Sequence, residues 1–134
     1  MAERRLGIRP LRRPDRRFDA GDVLDFGAIQ LLAIHAPGHL DDHYCFLETK
    51  TGTLFSIDID FTGFGPWYGS PEGDINRFRE SVTMLRSLTF YLICASHKTP
   101  IPRADADDYF DRYLNAFDRQ KMAVFDLCRQ RGWI

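Results

Sequence analysis

A chain of 134 residues, 44% hydrophobic and 28% charged, has the length of one domain and the balance of a soluble globular one. Its net charge of −1 gives the whole chain no electrostatic reason to bind nucleic acid or an acidic lipid surface. No run of about 18 apolar residues is present to cross a bilayer, and no apolar signal core is present either. Cys45, Cys94 and Cys128 are too widely spaced for a zinc knuckle. They read as free thiols in a reducing compartment, so a cytoplasmic location is expected.

Seven arginines fall in residues 1–17, against only Glu3 and Asp15. Pro10 and Pro14 interrupt any helix there, so a basic, poorly ordered segment is expected, with the folded domain over residues 18–134. Val23, Leu24 and Phe26 read as a short strand ended by Gly27. A second strand spans 29–34, and the turn His35-Ala36-Pro37-Gly38-His39-Leu40-Asp41-Asp42-His43 follows it. Residues 44–48 and 53–57 read as strands joined by a hairpin turn with Gly52. An aromatic, glycine-rich loop covers 61–69. Ser70-Pro71-Glu72 reads as a helix start. Ile75, Phe78, Val82, Leu85 and Leu88 then recur at the helical period. Residues 90–95 form a nearly continuous apolar strand ending in Ser96-His97. Pro100 and Pro102 break the chain, and a long helix is expected over about 105–131, with Tyr109, Tyr113, Phe117, Val124 and Cys128 among its apolar contacts. Strands first, then helix, strand and helix, fit an α/β (α+β) domain: one mainly antiparallel sheet with helices on one face.

Three of the four histidines lie in the nine-residue turn. Pro37-Gly38 forbids a regular helix there, so the turn separates them. His39 follows the glycine and is the best placed ligand, at the loop apex with its ring free. His35 ends a strand and has backbone partners available. His43, with Asp42 beside it, opens the next strand. Asp58 follows the apolar run 54–57, where burial is expected, and a buried carboxylate needs a partner; a turn-capping role explains it equally well. His97 sits at the end of an even more apolar strand. Two imidazoles and a carboxylate suit zinc, or iron or manganese with further oxygen ligands.

The segment His35-Ala36-Pro37-Gly38-His39 resembles the H-T-P-G-H turn of metallo-β-lactamase-fold hydrolases. Leu54-Phe55-Ser56-Ile57-Asp58 is similar to their L-F-T-G-D segment, and Ala95-Ser96-His97 resembles the closing P-G-H. The strand and turn from Asp19 to Gly27 resemble the approach to the histidine turn. The three motifs stand in order over about residues 15–117. The resemblance implies that His39 serves one metal, that Asp58 bridges two, and that His97 serves the second. His35, His43 and Asp42 would be accessory. Trp67 and Tyr68, in the aromatic loop, would lie near the site mouth and could contact substrate, or be tucked onto the core.

The family's H-x-H-x-D-H motif, which supplies the other ligands, is not in this sequence, and Ile57 replaces the usual glycine before the bridging aspartate. About 34 residues precede the histidine turn. The resemblance therefore implies the C-terminal half of an αββα sandwich. The expected function is part of a metal-dependent hydrolase, cleaving an ester, amide, thioester or phosphoester of a small molecule through a metal-bound hydroxide. By itself this chain would be inactive. Its apolar sheet face would meet the other half of the fold or a second copy of the chain. The alternative is a non-catalytic domain that keeps the sheet only for association.

Overall fold

The computed structural model describes residues 14–134. Most of the basic segment expected over 1–17 lies outside the described residues; 14–17 are exposed coil. Six strands form one sheet in chain order: β1 Val23–Asp25, β2 Gln30–His35, β3 Tyr44–Glu48, β4 Thr53–Ile57, β5 Leu92–Ala95 and β6 Ile101–Pro102. Every neighbouring pair is antiparallel except β4 and β5, which run parallel. A parallel pair needs a crossover. Helix α1, Ile75–Arg86, supplies it, and helix α2, Arg103–Gln130, follows β6.

Residues in register across a sheet point to the same side. Leu32, Leu47, Leu54, Ile93 and Ile101 form one such row. Leu54, Ile93 and Ile101 are buried with Phe78, Val82 and Leu85 of α1 and Ala106, Phe110, Tyr113 and Phe117 of α2. Both helices thus cover one face, as the sequence predicts. The opposite row is Ala33, Phe46, Phe55 and Cys94. Phe46, Phe55 and Cys94 are only half-buried. Phe18 leans on this face, its ring 5.1 Å from Tyr44 and 5.7 Å from Phe46.

Four local expectations need correction. Ser70-Pro71-Glu72 does not open α1; Gly73 N–H closes a turn on the Ser70 carbonyl at 3.0 Å. Asp74 is the cap, its carboxylate accepting from the amides of Asn76 and Arg77 at 2.9 and 3.0 Å. The side-chain oxygen thereby satisfies two of the helix's unpaired first-turn amides. Phe90 and Tyr91 precede β5 rather than joining it, because Phe90 turns into the helix-side core and Tyr91 faces solvent. The prolines at 100 and 102 do not exclude a strand: β6 is a two-residue edge, where proline is tolerated. Finally, α2 stops contributing to the core after Phe117, and Val124, expected inside, is 62% exposed.

Candidate functional site

The histidine turn joins β2 to β3 and is held from several directions. Gly38 adopts φ +125°, and a Cβ there would lie 2.3 Å from the Phe78 backbone. Only glycine lets the turn lie this close to α1. The Gly38 carbonyl accepts from the Asp74 amide at 2.9 Å, and the Pro37 carbonyl accepts from the Ser81 hydroxyl at 2.8 Å. Arg77 of α1 pairs with Asp41. The crossover helix therefore sets the position of the turn.

Within that turn the three histidines differ. The His39 Nδ1–H donates to the Trp67 carbonyl at 2.9 Å. A carbonyl only accepts, so Nδ1 carries a proton, and in the neutral ring Nε2 is the nitrogen with the lone pair. Nε2 points at Asp58 Oδ2, 3.9 Å away. His39 is not the free apex ring expected: its side chain is 14% exposed, between Trp67 and Phe78 with ring centroids 5.4 and 6.2 Å away. His43 is buried, donating from Nδ1 to the Ala36 carbonyl at 3.0 Å and accepting the Asp58 amide at Nε2, 3.3 Å away. Burial holds its pKa below the ordinary value, so the neutral ring is favoured. His35 donates from Nε2 to the Asp41 carbonyl at 2.8 Å and tilts against Tyr44. Asp42 is exposed on the turn.

Asp58 stands one residue past β4. The preceding residue, Ile57, has φ +53°, a conformation unusual for a β-branched side chain. The chain thus keeps a glycine-like turn without glycine, at a cost of about 1–2 kcal/mol. Asp58 is not buried as expected: its side chain is 38% exposed. The exposure belongs to its open face, since its amide is bound by His43. On the far side, His97 Nε2 lies 3.8 Å from Asp58 Oδ1, and His97 is 67% exposed.

The structure therefore brings together His39, Asp58 and His97, one imidazole nitrogen on each carboxylate oxygen. His43 has both ring nitrogens on the backbone and His35 has its Nε2 on the Asp41 carbonyl, and Asp42 stands aside. Among the described residues, no group of three His, Cys, Asp or Glu side chains is placed to hold a single ion. The arrangement is instead two pairs sharing one carboxylate. Each pair supplies two donors of the four that zinc takes. A histidine anchored through its other nitrogen to a carbonyl is the usual state of a metal ligand, so the donor chemistry fits a metal while the donor number leaves each pair incomplete.

Trp67 and Tyr68 separate. Trp67 is exposed beside His39, while Tyr68 stacks on Phe117, centroids 6.1 Å apart. The residues that sequence reasoning missed are Asp74, Ser81 and the Trp67 carbonyl. Each holds the turn or its histidine through a contact remote in sequence, and no local pattern announces it.

No family model matches the chain. It is 37% identical over 68 residues to a hydroxyacylglutathione hydrolase of Francisella philomiragia, covering 51% of this chain and 27% of that protein. A metallo-β-lactamase family protein of Thermus thermophilus superposes with a TM-score of 0.68 at 20% identity, over 88% of this chain and 39% of that one. TTHA1623, solved in a di-iron-bound form, gives a TM-score of 0.61 at 28% identity, over 78% and 53%. The chain thus spans between about a quarter and about half of the lengths of the proteins it resembles.

Proposed function

We propose, from a chain that carries half of the metallo-β-lactamase fold, that it forms the carboxylate-bridged side of a hydrolytic metal site. One observation carries the reading. The two oxygens of Asp58 each face an imidazole nitrogen, at 3.9 and 3.8 Å, and on His39 the other ring nitrogen is already held by the Trp67 carbonyl. His39 and Asp58 Oδ2 would hold one ion and His97 with Asp58 Oδ1 a second, with zinc, iron or manganese all compatible with nitrogen and oxygen donors. A bound metal of this kind makes hydroxide available near neutral pH and polarises a carbonyl. The chain's own residues orient the donors. Trp67 fixes the His39 tautomer, His43 fixes the Asp58 backbone, and Trp67 walls the site on the solvent side.

The remaining donors have to come from the other half of the fold, in the same polypeptide or in a partner. Among ester, amide, thioester and phosphoester substrates, a thioester of a small thiol is favoured, because the sequence relative is named a hydroxyacylglutathione hydrolase. Three free thiols suit a reducing compartment, and the cytoplasm is the proposed location. No helix among the described residues is long and apolar enough to cross a membrane.

A second reading, a non-catalytic domain that associates through its sheet, draws on the half-buried row Phe46, Phe55 and Cys94. Zinc titration of the metal-free full chain by calorimetry separates the two. The hydrolytic reading expects binding that weakens at least about tenfold in Asp58→Asn, the loss of one charged ligand. Equal binding by parent and variant, or none by either, favours the associative reading.

A further inference from the structure

A cleft of about 280 Å³ opens between the loop that follows Asp58 and α2. Phe61 and Thr62 form one wall, and Tyr109, Arg112 and Arg119 of α2 the other. Lys98, the residue after His97, closes one end. The cleft thus begins one residue from one candidate ligand and three from another. Its lining holds three cations and no carboxylate.

That imbalance is unusual on this helix, which is rich in aspartate. Three of the six aspartates of α2 are drawn to other arginines. Asp107 and Asp111 pair with Arg86, Asp118 with Arg79, and Asp107 also with Arg103. Among the described residues, Lys98, Arg112 and Arg119 make no ion pair. Lys98 and Arg112 instead both lie over the Tyr109 ring, 5.0 and 4.7 Å from its centroid. A cation held on an aromatic face has no counter-charge there and stays available to an anion. Arg112 Nε is committed to the Asp108 carbonyl at 3.1 Å, which fixes the guanidinium and leaves its terminal nitrogens to donate. The nearest carboxylate on the loop, Asp60, is already bonded to the Thr62 amide and hydroxyl, each at 3.2 Å. Burial pushes the Tyr113 phenol upward, with Asp60 and Asp58 adding to it, so this wall tyrosine stays a neutral lining group.

We propose that the cleft between Lys98, Tyr109, Arg112 and Arg119 is an anion subsite, receiving the carboxylate or phosphate group of a small molecule whose reactive end reaches His97 and Asp58. The second half of that statement rests on the hydrolytic reading; the binding of an anion does not. The group enters beside Tyr109, whose ring both Lys98 and Arg112 contact, and Arg119 stands about two helical turns beyond Arg112.

The test is anion titration of the metal-free full chain, followed by amide and side-chain NMR, with inorganic phosphate in one arm and succinate in the other. The two arms tell a phosphate ligand from a carboxylate one. Shifts at Lys98, Thr62 and Arg112 are expected, with weak dissociation constants, of order millimolar for so small an anion. Lys98→Gln and Arg112→Gln should each weaken binding about fivefold to tenfold, the usual loss of one charge-assisted contact. Asp58→Asn should leave it within about twofold, which separates this subsite from the metal reading. Failure of both anions to shift these residues overturns the proposal, as does binding unchanged in the Lys98 and Arg112 variants. Loss of binding in Asp58→Asn also overturns it, because the anion would then belong to the carboxylate-bridged site.

Discussion

Asp58 owes its position to two residues that take no part in chemistry. His43 holds its amide and Ile57 supplies the turn that delivers it. His43→Ala would leave the Asp58 amide and the buried Ala36 carbonyl without their partner, at a cost of about 2–4 kcal/mol, read by urea unfolding. A variant as stable as the parent would show that His43 only fills space. Ile57→Gly exchanges relief of positive φ for lost burial and added chain entropy. These effects nearly cancel, and a change within about 1 kcal/mol is expected. A loss above about 3 kcal/mol would mean that Ile57 contributes chiefly by packing. Further from the site, Glu48 titrates abnormally. The Thr51 hydroxyl and then its amide hold the Glu48 carboxyl at about 2, below the ordinary 4.5. The folded value is depressed, so this contribution is full above 4.5 and drains away as the pH falls through 2. Thr51→Ala should move acid unfolding to higher pH, and an unchanged acid midpoint would contradict the assignment. Little of this was legible beforehand. Asp58 and His97 stand out because each ends an apolar run and His39 because it follows the Pro-Gly turn, but the orienting contacts join positions up to 44 residues apart, and periodicity carries no such information.

At the scale of elements, the link between α1 and the histidine turn decides the geometry. Asp74 caps the helix and bonds Gly38 at the same time, so helix start and turn form as one unit. Gly38→Ala should cost about 3 kcal/mol or more, because the added methyl meets backbone rather than a yielding side chain. Thermal unfolding checks it, and a parent-like midpoint would show that α1 can shift without penalty. The apolar periodicity announced β2 to β5 and both helices. It misplaced the α1 cap, since Ser70-Pro71-Glu72 carries the usual signature while the tertiary bond to Gly38 selects Asp74. It overlooked β6 because a two-residue proline edge has no pattern to detect. It also carried α2's core face too far: Val124 keeps the helical period beyond Phe117, where no sheet lies beneath it.

At the scale of the molecule, two helices cover one face of the sheet, and among the described residues Phe18 leans on the other. The row Phe46, Phe55 and Cys94 is the apolar surface that a second layer would cover in an αββα sandwich. Ultracentrifugation should therefore show self-association or binding to the complementary half. A clean monomer that leaves a hydrophobic dye dark would contradict this. The fold was legible because three short motifs stand in order at the strand ends. The sequence offers no second histidine cluster, so the remaining donors proposed for the site lie outside its recognisable motifs. The proposed bridging of two imidazoles by Asp58 toward metal is open to zinc-edge anomalous diffraction from crystals grown with zinc. A peak is expected between Asp58 Oδ2 and His39 Nε2, between Asp58 Oδ1 and His97 Nε2, or at both. Zinc bound only at other residues, or no zinc at these three under saturating metal, would contradict it.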